Sequence, residues 1–430
     1  MRTTWRAAGP RPERRFPRAA ALPLAACVVA GPAAAGDWPQ FRGPNRDGIS
    51  AESGLLETWP EGGPKVLWRA ALGDGFSALA VTAGRVYTLF SRGDDEFAGC
   101  FDAASGAELW RTRLDRAWRD EFGDGPRSTP TVDGDQLYAF SSRGKLYALA
   151  AADGAVRWTR DTASDFSAEP PQWGVATSPL VEGDRLLVDV GGAGGSSLVA
   201  FDKQTGKELW RSQDDKPGYA APVAFTAGGV RQAVFFTGTG LVAVAPADGK
   251  LLWRLPWETA WDVNAATPVF IPPDRVFVSS GYDVGAAVYR LTAAEGAVSP
   301  AEIWKNREMK NKFSSSLLHA GHLYGFDEKT LKCIDAASGE TRWQARGLGH
   351  GSLLYADGRL VVLGEQGELA LVDATPEAYR ERARVRVFEG KTWTAPALAA
   401  GRLYLRDQKE LVALDLAARK AAERPAEGTP

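Results

Sequence analysis

The stretch Leu198-Val199-Ala200-Phe201-Asp202-Lys203-Gln204-Thr205-Gly206-Lys207-Glu208-Leu209-Trp210 decides how this chain folds. It passes from an apolar strand through a small polar turn into a second strand that ends on tryptophan. An Asp at the turn accepts hydrogen bonds from backbone N–H groups two residues on, and the Gly supplies the positive φ the turn needs. The pattern returns as Cys100-Phe101-Asp102-Ala103-Ala104-Ser105-Gly106-Ala107-Glu108-Leu109-Trp110. Variants end at Trp158 after Asp153-Gly154, at Trp253 after Asp248-Gly249 and at Trp343 after Asp335-Ala336-Ala337-Ser338-Gly339, and a stretched copy ends at Trp304.

Counted from Trp68, these tryptophans stand 42, 48, 52, 43, 51 and 39 residues apart. Their mean period, about 46, belongs to four-stranded propeller blades. Each copy reads as four short strands; in the second they are Ser128 to Val132, Gln136 to Phe140, Lys145 to Leu149 and Val156 to Trp158. Hairpin turns such as Val132-Asp133-Gly134-Asp135, Val181-Glu182-Gly183-Asp184 and Ala356-Asp357-Gly358-Arg359 join the first pair of strands. A copy without Trp runs from Leu369-Ala370-Leu371-Val372-Asp373-Ala374 to Val385-Arg386-Val387-Phe388, and the last, at Leu411-Val412-Ala413-Leu414-Asp415, has no strand after it. Lys65-Val66-Leu67-Trp68-Arg69 is an outer strand with no inner partners. Joining the two ends predicts an all-β fold: a single eight-bladed β-propeller of four-stranded antiparallel blades over 65–416, closed by an N-terminal outer strand. Trp68, Trp110, Trp158, Trp210, Trp253, Trp304 and Trp343 then read as structural wedges between blades, each indole N–H finding a carbonyl.

Composition narrows function. The chain has 430 residues, 44% hydrophobic, with 51 basic and 53 acidic side chains and a formal charge of -2, which points to no nucleic-acid partner. Three Cys and three His without ligand spacing make neither a disulfide scaffold nor a zinc site. Residues 1–35 read as a signal peptide: Arg2, Arg6, Arg11, Arg14, Arg15 and Arg18 with Glu13, then an apolar run ending in Ala33-Ala34-Ala35. Removing their +5 from -2 leaves -7 on the mature chain. A competing reading takes Leu24-Ala25-Ala26-Cys27 as a lipobox that lipidates Cys27 and tethers the protein to a membrane. Both export the chain to the periplasm or beyond, with no retained transmembrane span. Residues 36–64 are expected to be an extended N-terminal segment, and 417–430 a disordered tail.

Loop lengths separate the two faces of the disc. Turns within blades are tight, whereas the crossings between blades are longer and carry unusual residues, so function is expected on the crossing face. Just before or at each innermost strand stand Phe76, Arg127, Trp173, Tyr219, Asn264, Phe313, His350 and Trp393. Together they are expected to ring one mouth of the central channel, either as a ligand pocket or as a plug packed under the crossings. The charged crossing from Arg111 to Gly125 reads as a solvated loop.

The motif A-x-D-x-x-[TS]-G-x-x-x-W resembles the repeat of the quinoprotein dehydrogenase-like propellers. These include pyrroloquinoline quinone (PQQ) dependent alcohol dehydrogenases and the family of the lipoprotein subunit of the outer-membrane β-barrel assembly machine. The stretch from about Asp37 to Leu416 is similar to the exported PQQ-binding-like β-propeller proteins. Its hallmarks appear as Asp37-Trp38-Pro39-Gln40-Phe41-Arg42-Gly43-Pro44-Asn45-Arg46 and Gly123-Asp124-Gly125-Pro126-Arg127-Ser128-Thr129-Pro130.

The dehydrogenase resemblance implies PQQ in the funnel, Ca²⁺ held by Glu, Asn and Asp oxygens, a carboxylate base and often adjacent cysteines. This chain has no Cys pair, and Cys100 and Cys333 occupy equivalent positions in blades too far apart to bridge. No Cys-x-x-Cys-His binds haem, and Asp262 and Asn264 are the Ca²⁺ ligand candidates, with no third. The assembly-machine resemblance implies a non-catalytic scaffold. The expectation is therefore an exported, cofactor-free scaffold of the cell envelope, a monomer or a subunit of a complex. It would bind an envelope protein or small ligand on the inter-blade loop face. A PQQ- and Ca²⁺-dependent oxidoreductase and a carbohydrate-binding propeller stand as alternatives.

Overall fold

Two kinds of strand recur along the chain. The second and third of each unit are near-continuous apolar runs, and every residue of Gln136–Phe140 and Gly240–Val244 is buried. Such runs need cover on both faces, which only neighbouring sheets can supply. The fourth strand alternates: in Leu251–Pro256 only Trp253 is fully buried. Alternation of this kind belongs at a rim.

A computed structural model describes residues 1, 4, 36–294 and 297–418. It arranges eight four-stranded antiparallel sheets: blade 1 over 80–116, blade 2 over 131–161, blade 3 over 180–212, blade 4 over 223–256, blade 5 over 269–306, blade 6 over 317–345 and blade 7 over 352–386. Blade 8 takes its three inner strands from 397–415 and its rim strand, Lys65–Ala71, from the other end of the chain. Lys65 pairs with Asp415 and Ala71 with Glu410, so backbone hydrogen bonds lock the ring shut. Apart from residues 1 and 4 the predicted signal peptide, with Cys27, and the tail from residue 419 lie outside the described residues. Among those described, no helix is long and apolar enough to cross a membrane.

The tryptophan repeat has a contact behind it. Gly106, Gly154, Gly206, Gly249 and Gly339 all take φ between 70° and 76°, and a Cβ on any of them would come within 2.8 Å of an indole of the preceding blade. Each indole thus lies flat on a turn that only glycine can make. The indole N–H of Trp68 donates to Ala103 O (3.1 Å), that of Trp158 to Lys203 O (3.0 Å) and that of Trp210 to Pro246 O (3.0 Å). Trp253 instead donates to the Gln232 side chain (2.6 Å). In every blade the ladder slips by one residue just before the rim position, a β-bulge that re-aims the side chain. In blade 7 that position is Ala383, on the strand Glu381–Arg386, rather than the predicted Val385 to Phe388.

The innermost strand of blade 2 is Thr131–Asp133, shorter than the predicted Ser128 to Val132. Pro130 has no N–H to offer a ladder, and the chain before it bonds sideways. Ala78 N donates to Thr129 Oγ1 (3.0 Å), and Thr129 N donates to Ser178 Oγ (3.0 Å), stitching blades 1, 2 and 3 around the axis. The wide 51-residue spacing before Trp304 is a long hairpin, Gly285–Ala294 with Ala297–Asn306. Cys100 and Cys333 are both free and buried.

The segment 36–64 crosses the face of tight turns. It is pinned by isolated bridges of Trp38 to Val81, Ile49 to Tyr355 and Leu55 to Ala417. The last of these carries the paired chain just past the expected end of the ring at 416.

Candidate functional site

The tight-turn end of the channel is closed by the chain itself. Gly43, at φ 83°, lets the segment curl under Trp38; a Cβ there would sit 2.9 Å from the indole. Arg42 and Arg46 hold the left-handed conformation, φ 62° and 58°, which costs a non-glycine residue free energy that the surroundings must repay. Their side chains enter the axis. Arg46 Nη1 donates to Ser178 O (3.3 Å) and Pro222 O (3.1 Å), Nη2 to Thr131 Oγ1 (3.2 Å) and Pro179 O, and Nε to Gln40 Oε1 (2.8 Å). One guanidinium therefore ties together the inner chain of blades 2, 3 and 4. Arg42 Nη2 donates to Asp47 O (2.8 Å) and Ser316 O (2.6 Å). Burial pushes the pKa of Arg42 down to about 10, opposed by Asp47, and that of Arg46 down to about 9. Both therefore stay charged at neutral pH.

On the crossing face the channel opens into a cavity of about 230 Å³. Seven of the eight residues expected at the mouth line it: Phe76, Arg127, Trp173, Tyr219, Phe313, His350 and Trp393. Their rings touch in sequence, with Tyr219 5.9 Å from Trp173, Trp393 4.7 Å from Phe313 and Phe313 5.3 Å from His350. Phe122 spans the gap, 5.8 Å from Trp173 and 6.4 Å from Trp393. Its loop is moored at three points. Lys391 Nζ donates to Phe122 O (2.7 Å), Trp173 Nε1 to Glu121 Oε1 (3.2 Å) and Arg127 Nη2 to Asp120 Oδ2 (2.6 Å). The charged crossing is thus a paired strap over the mouth, its first part still rim strand to Arg116.

Asn264 is the exception, and its chemistry explains why. Its amide donates to Thr237 O (2.8 Å) and Trp257 O (3.1 Å), while its carbonyl oxygen accepts from Ser280 Oγ (3.0 Å). The side chain is turned into the ring wall, leaving Val263 and Ala265 to face the cavity. The other Ca²⁺ candidate, Asp262, is paired with Lys216 at 2.8 Å. Among the described residues no group of three or more His, Cys, Asp or Glu could hold a metal ion, and the cavity lining contains no Asp or Glu. This donor set does not fit Ca²⁺, which takes six to eight oxygens with carboxylates among them.

Comparison with known proteins adds the lineage. A family model described as outer membrane protein assembly factor BamB matches residues 94–345 and 327–422. The chain belongs to that family. The BamB of Shewanella oneidensis is 29% identical over 206 residues, 44% of this chain and 48% of the relative, so the match spans about half of that protein's length. The BamB of Yersinia pestis is 24% identical over 369 residues, covering 80% of this chain and 86% of the relative. Among solved structures, the quinohemoprotein alcohol dehydrogenase ADHIIG of Pseudomonas putida HK5 overlays with a TM-score of 0.63 at 14% identity, over 92% of this chain and 82% of that one. At that identity the likeness is one of fold.

BamB-family membership accounts for the ring, but the residues of the channel lie between the repeats. Phe41, Arg42, Phe122, Tyr282 and Lys312 also line the cavity and were missed from sequence. Arg42 and Arg46 stood in a hallmark stretch rich in Gly, Pro and Asn. Two arginines in such a segment, outside any repeat and free of alternation, were the available signal.

Proposed function

We propose that this chain is an exported, non-catalytic propeller of the cell envelope that binds a protein partner or small ligand at its aromatic mouth, alone or as a subunit of a complex. One observation carries the reading: rings from separate crossings converge on a single solvent-facing surface above a channel that the chain's own arginines close. Phe122, at its centre, is 44% exposed. Exposed aromatic clusters of this kind mark binding surfaces. The names of the matched relatives, outer membrane protein assembly factors, support an envelope site, as does the signal-peptide pattern of residues 1–35. The reading needs no cofactor, and the lining of cations, hydroxyls and rings lacks the carboxylate base of a quinoprotein mechanism.

A photoreactive side chain placed at position 122 in cells is expected to cross-link one envelope component reproducibly, while the same probe at the rim position Arg157 does not. Titration with PQQ and Ca²⁺ is the counter-test. Saturable binding accompanied by alcohol-dependent dye reduction overturns the scaffold reading.

A further inference from the structure

The cavity is one-sided in its hydrogen bonding. Its lining includes Arg42, Arg127, Lys312 and His350 but no carboxylate. Arg127 is already paired with Asp120 at 2.6 Å, and Lys312 Nζ stands 4.0 Å from Glu328. Arg42 has no such partner. Its Nη2 donates only to backbone carbonyls, its Nε is buried with no hydrogen-bond partner, and its Nη1 makes no hydrogen bond among the described residues. The Asp47 carboxylate lies near, but it accepts from Ile49 N (3.0 Å) rather than from the guanidinium. A buried N–H left unmet carries its full desolvation cost, more when the group is charged.

Three hydroxyls above this floor add to the bias. Thr129, Ser178 and Ser315 line the cavity, and the hydroxyl of each already accepts a backbone N–H, from Ala78 (3.0 Å), Thr129 (3.0 Å) and Thr267 (2.9 Å). With an acceptor position filled and no acceptor for their own protons among the described residues, all three are set to donate. The floor therefore offers donors and positive charge, whereas the wall above is alanine, valine and leucine and the mouth is rings.

We propose that the cavity is a site for a single carboxylate carried on a flat apolar body, held at the floor by Arg42 and the three hydroxyls and enclosed at the mouth by the rings of Trp173, Phe313 and Trp393. The inference rests on the binding reading above and names its ligand chemistry. A free aromatic acid and the terminal carboxylate of a chain ending in an aromatic residue present the same group.

Calorimetry on the full chain separates these sources. The probes are 3-phenylpropionate, its amide, and a pair of peptides ending in Phe as free acid or as amide. Saturable binding of an acid, tighter than its amide by roughly 10- to 100-fold, is expected, because a hydrogen-bonded charge is worth about that ratio. Binding by the peptide acid alone assigns the site to a chain terminus; binding by both acids assigns it to free acids as well. Arg42→Gln is expected to erase the acid–amide difference and Phe313→Ala to weaken acid and amide alike. The ratio is read on the unsubstituted protein, so a floor variant that fails to fold does not shield the proposal. Equal affinity for acid and amide, or no binding of any probe, overturns it. If position 122 still cross-links a partner in that case, only the ligand assignment falls.

Discussion

The two ends of the central channel are built on opposite terms. At the closed end, a segment outside the repeats inserts Arg46 among carbonyls and a hydroxyl of three blades, with nearly every donor satisfied and the residue almost wholly buried. At the open end, loop side chains meet ring against ring, some buried and others such as Phe122 open to solvent, tied by a few long-range hydrogen bonds such as that from Lys391. The closed end has the chemistry of a core and the open end that of an interface. Substitutions should divide accordingly: the floor in stability, the mouth in binding.

The sharpest way to break that division is Arg46→Met. It keeps the volume of the stem but strips the partners from Ser178 O, Pro179 O and Pro222 O, all buried. Each buried acceptor left unmet costs about 1–3 kcal/mol, offset in part by the guanidinium desolvation that the substitution removes. A marked fall in the unfolding midpoint is expected in denaturant melts. A fall within the scatter of surface substitutions shows instead that the segment only rests against the ring.

Gly43→Ala tests the same end more gently. The φ of 83° and the 2.9 Å approach to Trp38, itself 2% exposed, leave no room for a methyl group without displacing the segment. A loss of about 1–3 kcal/mol is expected, combining left-handed strain with overpacking. Limited proteolysis reads the outcome directly: cleavage within 36–64 should appear before any within the blades.

The contrast also marks what was legible in the sequence. The ring was, because propeller blades repeat and most copies place Asp, Gly and Trp where a turn meets the indole of the preceding blade. The mouth was legible to the extent that it follows the repeat: a side chain just before an innermost strand faces the axis, so seven of eight were placed from spacing alone. Asn264 departs because spacing gives a position and not a rotamer, and three buried polar groups around it outweighed the cavity. The floor was illegible for a different reason. Residues 36–64 have neither repeat nor alternation, so nothing local reveals that Arg42 and Arg46 turn inward; each is held there by partners distant in sequence, Ser316 O for Arg42 and Thr131, Ser178 and Pro222 for Arg46.

Between the ends, the blade walls hold carboxylates that give a pH test independent of both. Burial pushes Asp189 up to about 8, with Asp215 adding to it and the Gly218 N–H opposing. Burial likewise pushes Glu96 up to about 7, against hydrogen bonds from Ser142. Both groups hold protons in the folded chain that the unfolded chain releases near pH 4, so their contribution is complete below that pH and is lost progressively as pH rises from about 4 through 7 for Glu96 and through 8 for Asp189. Each proton is worth up to about 1.4 kcal/mol per pH unit. Asp335, held down to about 2 chiefly by Arg342, acts in the opposite sense and loses its contribution as pH falls through the range from 4 to 2. From these groups stability is expected to peak near pH 4, where the two opposing contributions meet, and Asp189→Asn should flatten its alkaline side. An unchanged slope in that variant assigns the pH dependence elsewhere.

The smallest expected effect on stability belongs to the mouth. Phe122 is 44% exposed, and its backbone carbonyl, rather than its ring, receives the Lys391 ammonium. Phe122→Ala therefore leaves the mooring of the strap intact and removes only a partly wet ring from between Trp173 and Trp393. Exposed positions of this kind shift stability by about 0.5 kcal/mol or less. Binding is another matter, because a ring that bridges two others over a cavity both covers the ligand and shapes the surface a partner meets. Unchanged melting with weakened capture of a partner is the expected pair of results. A large loss of stability instead makes Phe122 a structural plug, and with it the mouth becomes a second closed end.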